Sequence, residues 1–338
     1  MPRVFVTGAT GFLGSYITRL LVTGDYEVVA LKRTTSSMNM VSDIASKVEW
    51  IERDLMDLMT MDDLFTGVDG IIHAGALVSF QPKERNQMMA VNVEATSDLI
   101  NLALRKKVSR FVHISSIAAL GRHKDPNQII DESISWTDHP DNTMYGVTKH
   151  LAEKEVWRGA AEGLSTIIIN PSLILGAGQW DGGCPAITKR MAKGNPFYPQ
   201  GATGVVDVRD VAALTVKAYE SDISQERFIA SAENVSYRWI CDTITAAFDN
   251  KAPAIPLNGV LRLTLASADW CRAALTRGKR MATRENLRSS GRTAQYDNQK
   301  SIALLGATYR NVMNTIQESA DLYKNSRHDG KDFGILEF

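Results

Sequence analysis

Short apolar runs alternate with longer amphipathic stretches along the first half of the chain. The apolar runs are Val4–Thr7, Glu27–Leu31, Val48–Glu52, Gly70–Ala74, Arg110–Ser115 and Ser165–Asn170. Most are apolar throughout rather than alternating, the pattern of parallel strands covered on both faces. Between them apolar residues recur at helical spacing. Phe12–Thr23 aligns Leu13, Ile17, Leu20 and Leu21 on one stripe. Asn86–Lys107 is a long helical pattern, Tyr145–Ala161 follows the fifth strand, and Met61–Phe65 reads as a short turn. Repeated strand–helix units of this length predict the α/β class, a doubly wound parallel sheet with right-handed crossovers.

After Asn170 the rhythm changes. Residues 171–204 are rich in Gly, Pro and Gln, then "VVDVRDVAALTVKAY" returns to a strand followed by a helix. From Ser236 onward the patterns are mostly helical, ending at Tyr309–Tyr323. The plan is a large α/β unit with a smaller, mostly helical cap from the later segments.

Composition narrows the class without naming a chemistry. Of 338 residues, 44% are hydrophobic and 22% charged, the balance of a globular chain with an ample core. Lys plus Arg equals Asp plus Glu, so nothing points to nucleic acid or an acidic membrane surface. No apolar run approaches the ~20 residues of a membrane-spanning helix. The early first strand leaves no room for a leader. Cys184, Cys241 and Cys271 are few and widely spaced, which suits a reducing cytoplasm, and they read as inert packing residues. The six histidines form no metal-ligand spacing, so no metal is expected.

The candidate chemistry begins at residues 7–14, "TGATGFLG", directly behind the first strand. Small residues let the backbone approach a pyrophosphate, and the following helix offers free N–H groups and a positive dipole end. The spacing is GxxGxxG rather than GxGxxG. Gly8, Thr10, Gly11, Phe12 and Leu13 form the candidate phosphate cradle, with Gly14 packing the helix against the sheet. An acid commonly stands at the end of the second strand, where it holds the ribose hydroxyls of NAD. Here "LKRTTSS" places Lys32 and Arg33 there instead. A guanidinium grips a 2′-phosphate that a carboxylate would repel, so NADP is expected, with NAD the alternative. In "RDLMD" Asp54, beside Leu55, is placed to accept from an adenine amino group. Further on, "FVHISSIAALG" ends the fifth strand in Ser115 and Ser116, and "MYGVTKHLAEKEV" sets Tyr145 and Lys149 four apart on one helix face.

In this order the stretches resemble those of an extended short-chain dehydrogenase/reductase of the NAD-dependent epimerase/dehydratase superfamily. "TGATGFLG", "RDL", "HAGA", "NVEAT", "HISSIAALG", "YGVTK", "NPSLILGAG" and "VDVRDVA" are most similar to those of dihydroflavonol-reductase-like carbonyl reductases. The resemblance implies a Rossmann NADP-binding domain over 1–172, to which 205–235 returns, and a substrate cap from the rest of 173–338. It implies a catalytic set of Ser116, Tyr145 and Lys149, supported by Asn92. Ala74, Gly75 and Ala76 would pass beside the cofactor, and Pro171 and Ser172 would meet the nicotinamide amide. Lys149 would lower the phenol pKa of Tyr145 and hold the nicotinamide ribose.

The substrate pocket is expected from Val78–Pro82, including Ser79, and from Gln179–Cys184, including Gln179 and Trp180, beside Ser116 and Tyr145. Phe197 and Tyr198 suggest apolar walls, and residues 261–280 read as an amphipathic helix over the pocket. His73 and His113 read as core residues, and Asp210 as a helix-terminal structural acid. The expected activity is hydride transfer between NADP(H) and a carbonyl or alcohol of a small organic substrate. A nucleotide-sugar epimerase or dehydratase holding NAD is the alternative, but Ile117 and Ala118 follow Ser116 where dehydratases carry Asp-Glu, and Arg33 and "INPSLILG" stand where epimerases favour an acid and an R-x-x-N-x-Y-G run. A non-enzymatic NADP sensor would typically lack the tyrosine or lysine. The long helices near 86–107 and 145–161 are expected to pair in a homodimer, as they often do in this family.

Overall fold

The computed structural model describes residues 1–60, 65–121, 125, 128–139, 142–276 and 283–338. Seven parallel strands form the main sheet: β1 (Arg3–Thr7), β2 (Glu27–Lys32), β3 (Glu49–Glu52), β4 (Gly70–His73), β5 (Arg110–Ile114), β6 (Thr166–Pro171) and, late in the chain, Glu226–Ala230. The order across the sheet is β3-β2-β1-β4-β5-β6 and then the late strand. The chain direction of build-up reverses between β1 and β4, where Val4 pairs with Gly70 and Thr7 with His73. Such a switch point leaves a crevice at the carboxyl ends of the strands.

The unbroken apolar strands are explained by two covered faces. Val4, Val6, Val28, Ala30, Ile72 and Val112 pack on one face against Leu13, Tyr16 and Ile17 of α1 (Phe12–Thr23). Phe5, Val29, Leu31, Ile71 and Phe111 pack on the other. There they meet Leu99 and Leu102 of α3 (Ala95–Arg105) and Val156 of α4 (Met144–Ala161). Alternate side chains of one strand thus enter different cores, so every position is apolar.

The long helix expected over Asn86–Lys107 is divided. A short α2 (Arg85–Met89) passes through a π-helical turn, Ala90–Glu94, into α3. A wider turn of this kind has no signature in apolar spacing, and it aims Asn92 inward. Residues 61–64 of the turn expected at Met61–Phe65 lie outside the described residues.

The later segments are not helical alone. β7 (Leu173–Leu175), β8 (Phe197–Tyr198), β9 (Ala202–Asp207), the late main-sheet strand β10, β11 (Glu233–Ser236) and β12 (Ile255–Pro256) follow in turn. β7, β9 and β11 make a three-stranded sheet, and β8 pairs with β12. Around these sheets lie α5 (Pro185–Ala192), α6 (Val208–Glu220), α7 (Tyr237–Ala246), α8 (Gly259–Thr276), α9 (Arg284–Ser289), α10 (Gln299–Leu305) and α11 (Val312–His328). Of these, α6 joins α1 on its face of the main sheet, while α5, α7 and α11 close a separate core with Leu175 and Val205. The amphipathic stretch 261–280 falls on α8, and residues 277–280 lie outside the described residues. No helix among the described residues is long and apolar enough to cross a membrane.

Candidate active site

The turn between β1 and α1 is built from backbone. Gly8 has φ +72°, and a Cβ there would stand 2.7 Å from the Ala74 carbonyl carbon and the Gly75 nitrogen. The Gly11 N–H donates to the Gly8 carbonyl at 2.9 Å, and Gly11 caps α1 without a side-chain bond. The N–H groups of Phe12 and Leu13, in the first helical turn, have no carbonyl within the helix to reach. Thr10 stands half-buried in the turn, and Gly14 is buried, a Cβ on it falling 2.0 Å from the Gly8 oxygen. The Gly75 N–H donates to Thr7 Oγ1 at 3.0 Å, binding the end of β4 to the turn, while Ala74 is half-buried and Ala76 exposed beside it. Glycine-only space at a helix N-terminus fits a dinucleotide pyrophosphate.

The adenosine end differs from expectation at one residue. Lys32 is ion-paired with Glu52, which also accepts from Thr34 at 3.2 Å, so Lys32 is not a free phosphate contact. Arg33 is exposed at the end of β2, its backbone fixed by Ser36. Arg53, which the sequence reading passed over, has its N–H on the Lys32 carbonyl at 2.9 Å and so stands beside this strand end. Asp54 caps the turn at Leu55–Thr60, accepting from the Met56 N–H at 3.0 Å, and Leu55 packs half-buried against the α3 face.

The β5 end and α4 meet as the spacing predicts. The Thr143 side chain caps α4 through the Gly146 N–H at 3.0 Å. Gly146 lets the helix approach the turn after Ser116, because a Cβ there would stand 2.6 Å from the Ala118 oxygen. The Ser116 hydroxyl accepts from the Ala118 N–H at 3.1 Å and lies near enough to the Tyr145 phenol to act on it. Burial pushes that phenol up to about 12, against a smaller lowering by Ser116. The phenol therefore carries its proton throughout the neutral range.

Lys149 corrects one expectation. It is 1% exposed, and its ammonium donates to the Ile114 carbonyl at 2.6 Å, with His113 Nε2 at 3.3 Å. It is not among the groups that shift Tyr145. Burial lowers Lys149 to about 8, and Glu153 opposes that fall.

Glu153, one turn further along α4, escaped the sequence reading. It is 1% exposed and accepts from the Ser115 hydroxyl and from Asn170 Nδ2, with Arg227 at 3.5 Å. The Asn170 amide also donates to the Ser116 carbonyl at 3.0 Å. One carboxylate thus ties α4 to the ends of β5 and β6. It also separates the two serines, for Ser115 is turned to Glu153 and Ser116 to Tyr145. The missed signal was a third polar residue, i+8 from Tyr145, on an otherwise buried face.

His73 and His113 are fully buried and held neutral by burial. His73 lies between Thr7 Oγ1 at 2.7 Å and Thr96 Oγ1 at 3.0 Å, and Thr96 donates to the Asn92 carbonyl at 2.7 Å. The Asn92 side chain clamps Leu77 through both its N–H and carbonyl, and donates to Thr148 at 3.0 Å. Thr148 in turn donates to the Tyr145 carbonyl at 2.8 Å. A line of hydrogen bonds therefore runs from the glycine turn to α4, with Asn92 in its middle. Asp207 and Asp210 are structural as well: Asp207 caps α6 and binds Arg209, and Asp210 holds Arg310.

Pro171 and Ser172 lie buried at the end of β6, and Ser172 Oγ has no hydrogen-bond partner. A buried hydroxyl left unpaired is costly, so an external polar group suits it. Trp180 is a correction. It is 1% exposed in the core against Tyr323, its indole N–H bound to Ser326 at 2.8 Å, so it has no surface to offer a substrate. Gln179, half-buried, forms a bridge with Phe333 of the C-terminal segment. Ser79 is buried and accepts from the Gln81 N–H at 3.0 Å within its own turn. Cys184, at the start of α5, acts electrostatically on both Tyr145 and Tyr237. The Cys271 side chain lies outside those described.

Residues 4–229 match the profile of the family described as "NAD dependent epimerase/dehydratase family". The chain belongs to that family. A putative dihydroflavonol 4-reductase of Synechocystis sp. is 27% identical over 329 residues, covering 95% of this chain and 94% of that one. Sterol demethylase protein B of Methylococcus capsulatus is 35% identical over 237 residues, covering 68% and 69%. Among solved structures, that of gox2253 superposes with a TM-score of 0.81 at 26% identity, covering 98% and 99%. The extended dehydrogenase/reductase fold and its nicotinamide dependence follow from family membership.

Proposed function

We propose that this protein is an NADP(H)-dependent oxidoreductase that interconverts a carbonyl and an alcohol on a small organic substrate. The observation that carries the reading is the convergence of Ser116 and the Lys149 ammonium, at the end of β5, with the phenol of Tyr145 on α4. A nicotinamide bound there supplies or accepts the hydride. Tyr145 Oη gives its proton to the carbonyl oxygen as negative charge builds there. Ser116 Oγ donates to the same oxygen and holds it within reach of the phenol. Lys149, buried and cationic below about pH 8, supplies positive charge next to the strand end and can turn from Ile114 to a ribose hydroxyl. NADP is favoured over NAD by Arg33, which is exposed where an acid would otherwise hold the ribose. The named reductase relative supports reduction as the chemistry.

The test is NADPH consumption against ketones, aldehydes and nucleotide sugars by wild type and Tyr145→Phe. Wild type should reduce carbonyls, and the variant should lose about 10²–10⁴-fold in kcat. Equal rates in the two proteins would overturn the assignment of Tyr145, and turnover of nucleotide sugars alone would favour an epimerase.

A further inference from the structure

A cavity of about 780 Å³ opens beside the first turn of α4. Its apolar wall includes Met144 and Val147, which flank Tyr145 in that turn, together with Leu263 and Leu287. Set into it are Arg85 and Arg262, with Arg288 already engaged elsewhere, and Glu285 is the one carboxylate among the described lining residues. The chain as a whole has a formal net charge of +0, so this excess of positive charge is local.

Glu285 offsets only part of it. Its carboxylate already accepts the Met144 N–H at 2.5 Å, and burial raises its pKa. Arg262 is held in place: Nε donates to the Leu257 carbonyl at 2.8 Å, and its guanidinium lies over Gly291, where a Cβ would stand 2.1 Å from Nη1. That anchoring leaves Nη1 and Nη2, which donate no hydrogen bond to any described residue. Arg85 likewise donates none among the described residues, and its electrostatic partner is Glu285. Two arginines whose terminal guanidinium nitrogens donate to no described residue, at a hollow beside the helical turn that carries Tyr145, are a site for an oxyanion, which a guanidinium binds through two parallel hydrogen bonds.

We propose that this cavity binds a carboxylate or phosphate at the far end of the carbonyl substrate, gripped by Arg262 and Arg85. The substrate class is then anionic aldehydes and ketones, with the carbon frame on Met144, Val147 and Leu263 and the carbonyl at Tyr145. This inference rests on the reductase reading above.

Three matched probes test it with NADPH: benzaldehyde, 4-carboxybenzaldehyde and 4-formylphenyl phosphate. Wild type should prefer one charged aldehyde to benzaldehyde by about tenfold or more in kcat/KM. The better of the two identifies the oxyanion. Arg262→Ala should bring that preference to within about twofold, chiefly through KM, and Arg262→Lys should keep part of it. In wild type alone, added KCl should raise KM for the charged aldehyde more than for benzaldehyde. A preference absent in wild type, or unchanged in both Arg262→Ala and Arg85→Ala, overturns the inference while the reductase reading stands. Should none of the three be reduced, calorimetric titration of wild type with benzoate, phenyl phosphate and benzyl alcohol reads the cavity directly. One anion should bind about tenfold tighter than the alcohol, and equal binding overturns the inference. The reductase reading fails on its own separate result, equal rates for wild type and Tyr145→Phe.

Discussion

The two halves of the proposed site are made of different material. The cofactor side is backbone: strand ends, a glycine turn and a helix N-terminus, all within residues 3–24 and the facing end of β4. The proposed substrate half is long side chains on α2, α8 and α9, brought together from residues 85, 262 and 285. On the first side a Cβ at Gly14 would fall 2.0 Å from a backbone oxygen, whereas Gly259, lining the cavity, has nothing within 4 Å. Leu263, on the cavity wall, is 56% exposed. A site made of backbone is rigid because moving it means moving the sheet. A site made of side chains is adjustable, and it is the part that can change substrate while the chemistry stays.

The largest effect should come from breaking the rigid side. Gly14→Ala forces a methyl into the Gly8 carbonyl, and neither atom is the tip of a flexible side chain. It should destabilise the fold by about 2–4 kcal/mol, in the range of severe overpacking, and weaken NADPH binding with it. Gly259→Ala should change stability by no more than about 0.5 kcal/mol. Urea unfolding of the pair decides the matter, and similar midpoints for the two would remove the contrast.

A smaller effect is expected at the adenosine end. Lys32 is held by Glu52, so the proposed 2′-phosphate contact falls to Arg33. Arg33→Ala should reduce the preference for NADP over NAD by about tenfold or more, measured as the ratio of kcat/KM values. Lys32→Ala should move that ratio less. A ratio unmoved by Arg33→Ala would transfer the role to a neighbour such as Arg53.

What the sequence made legible follows the same division. The six early strands, α1 and the Tyr145–Lys149 face were readable because each is a local pattern of two to five residues repeated along one element. Ser116 and Tyr145 come together because β5 and α4 are consecutive units of that pattern. The π turn at Ala90–Glu94 was not readable, since widening one helical turn costs no change in composition. Trp180 misled for a physical reason: an aromatic in a Gly-rich loop reads as a pocket wall, but the C-terminal segment folds back and buries it. The arginine-lined cavity could not be read at all. Its three cations lie more than 170 positions apart at the extremes, and only the fold of the later helices joins them.

Glu153 sharpens the comparison most finely, because it belongs to neither half and ties α4 to the ends of β5 and β6. Its carboxylate favours the charged form of Lys149, whose pKa burial has already lowered to about 8. The groups around it are Lys149 and Arg227, with the Ser115 hydroxyl and Asn170 amide as hydrogen-bond donors. Glu153→Gln keeps the size and removes the charge, so Lys149 should lose its proton at lower pH. A protonated Lys149 is the active form, so activity falls as pH rises through its pKa. In the variant that alkaline limb should move down by about one pH unit, read as kcat/KM for NADPH, which reports the free enzyme. Glu153→Asp, which keeps the charge, should leave the limb nearer its original place. An unmoved limb in Glu153→Gln, together with a lowered melting temperature, would make Glu153 a structural tie and nothing more.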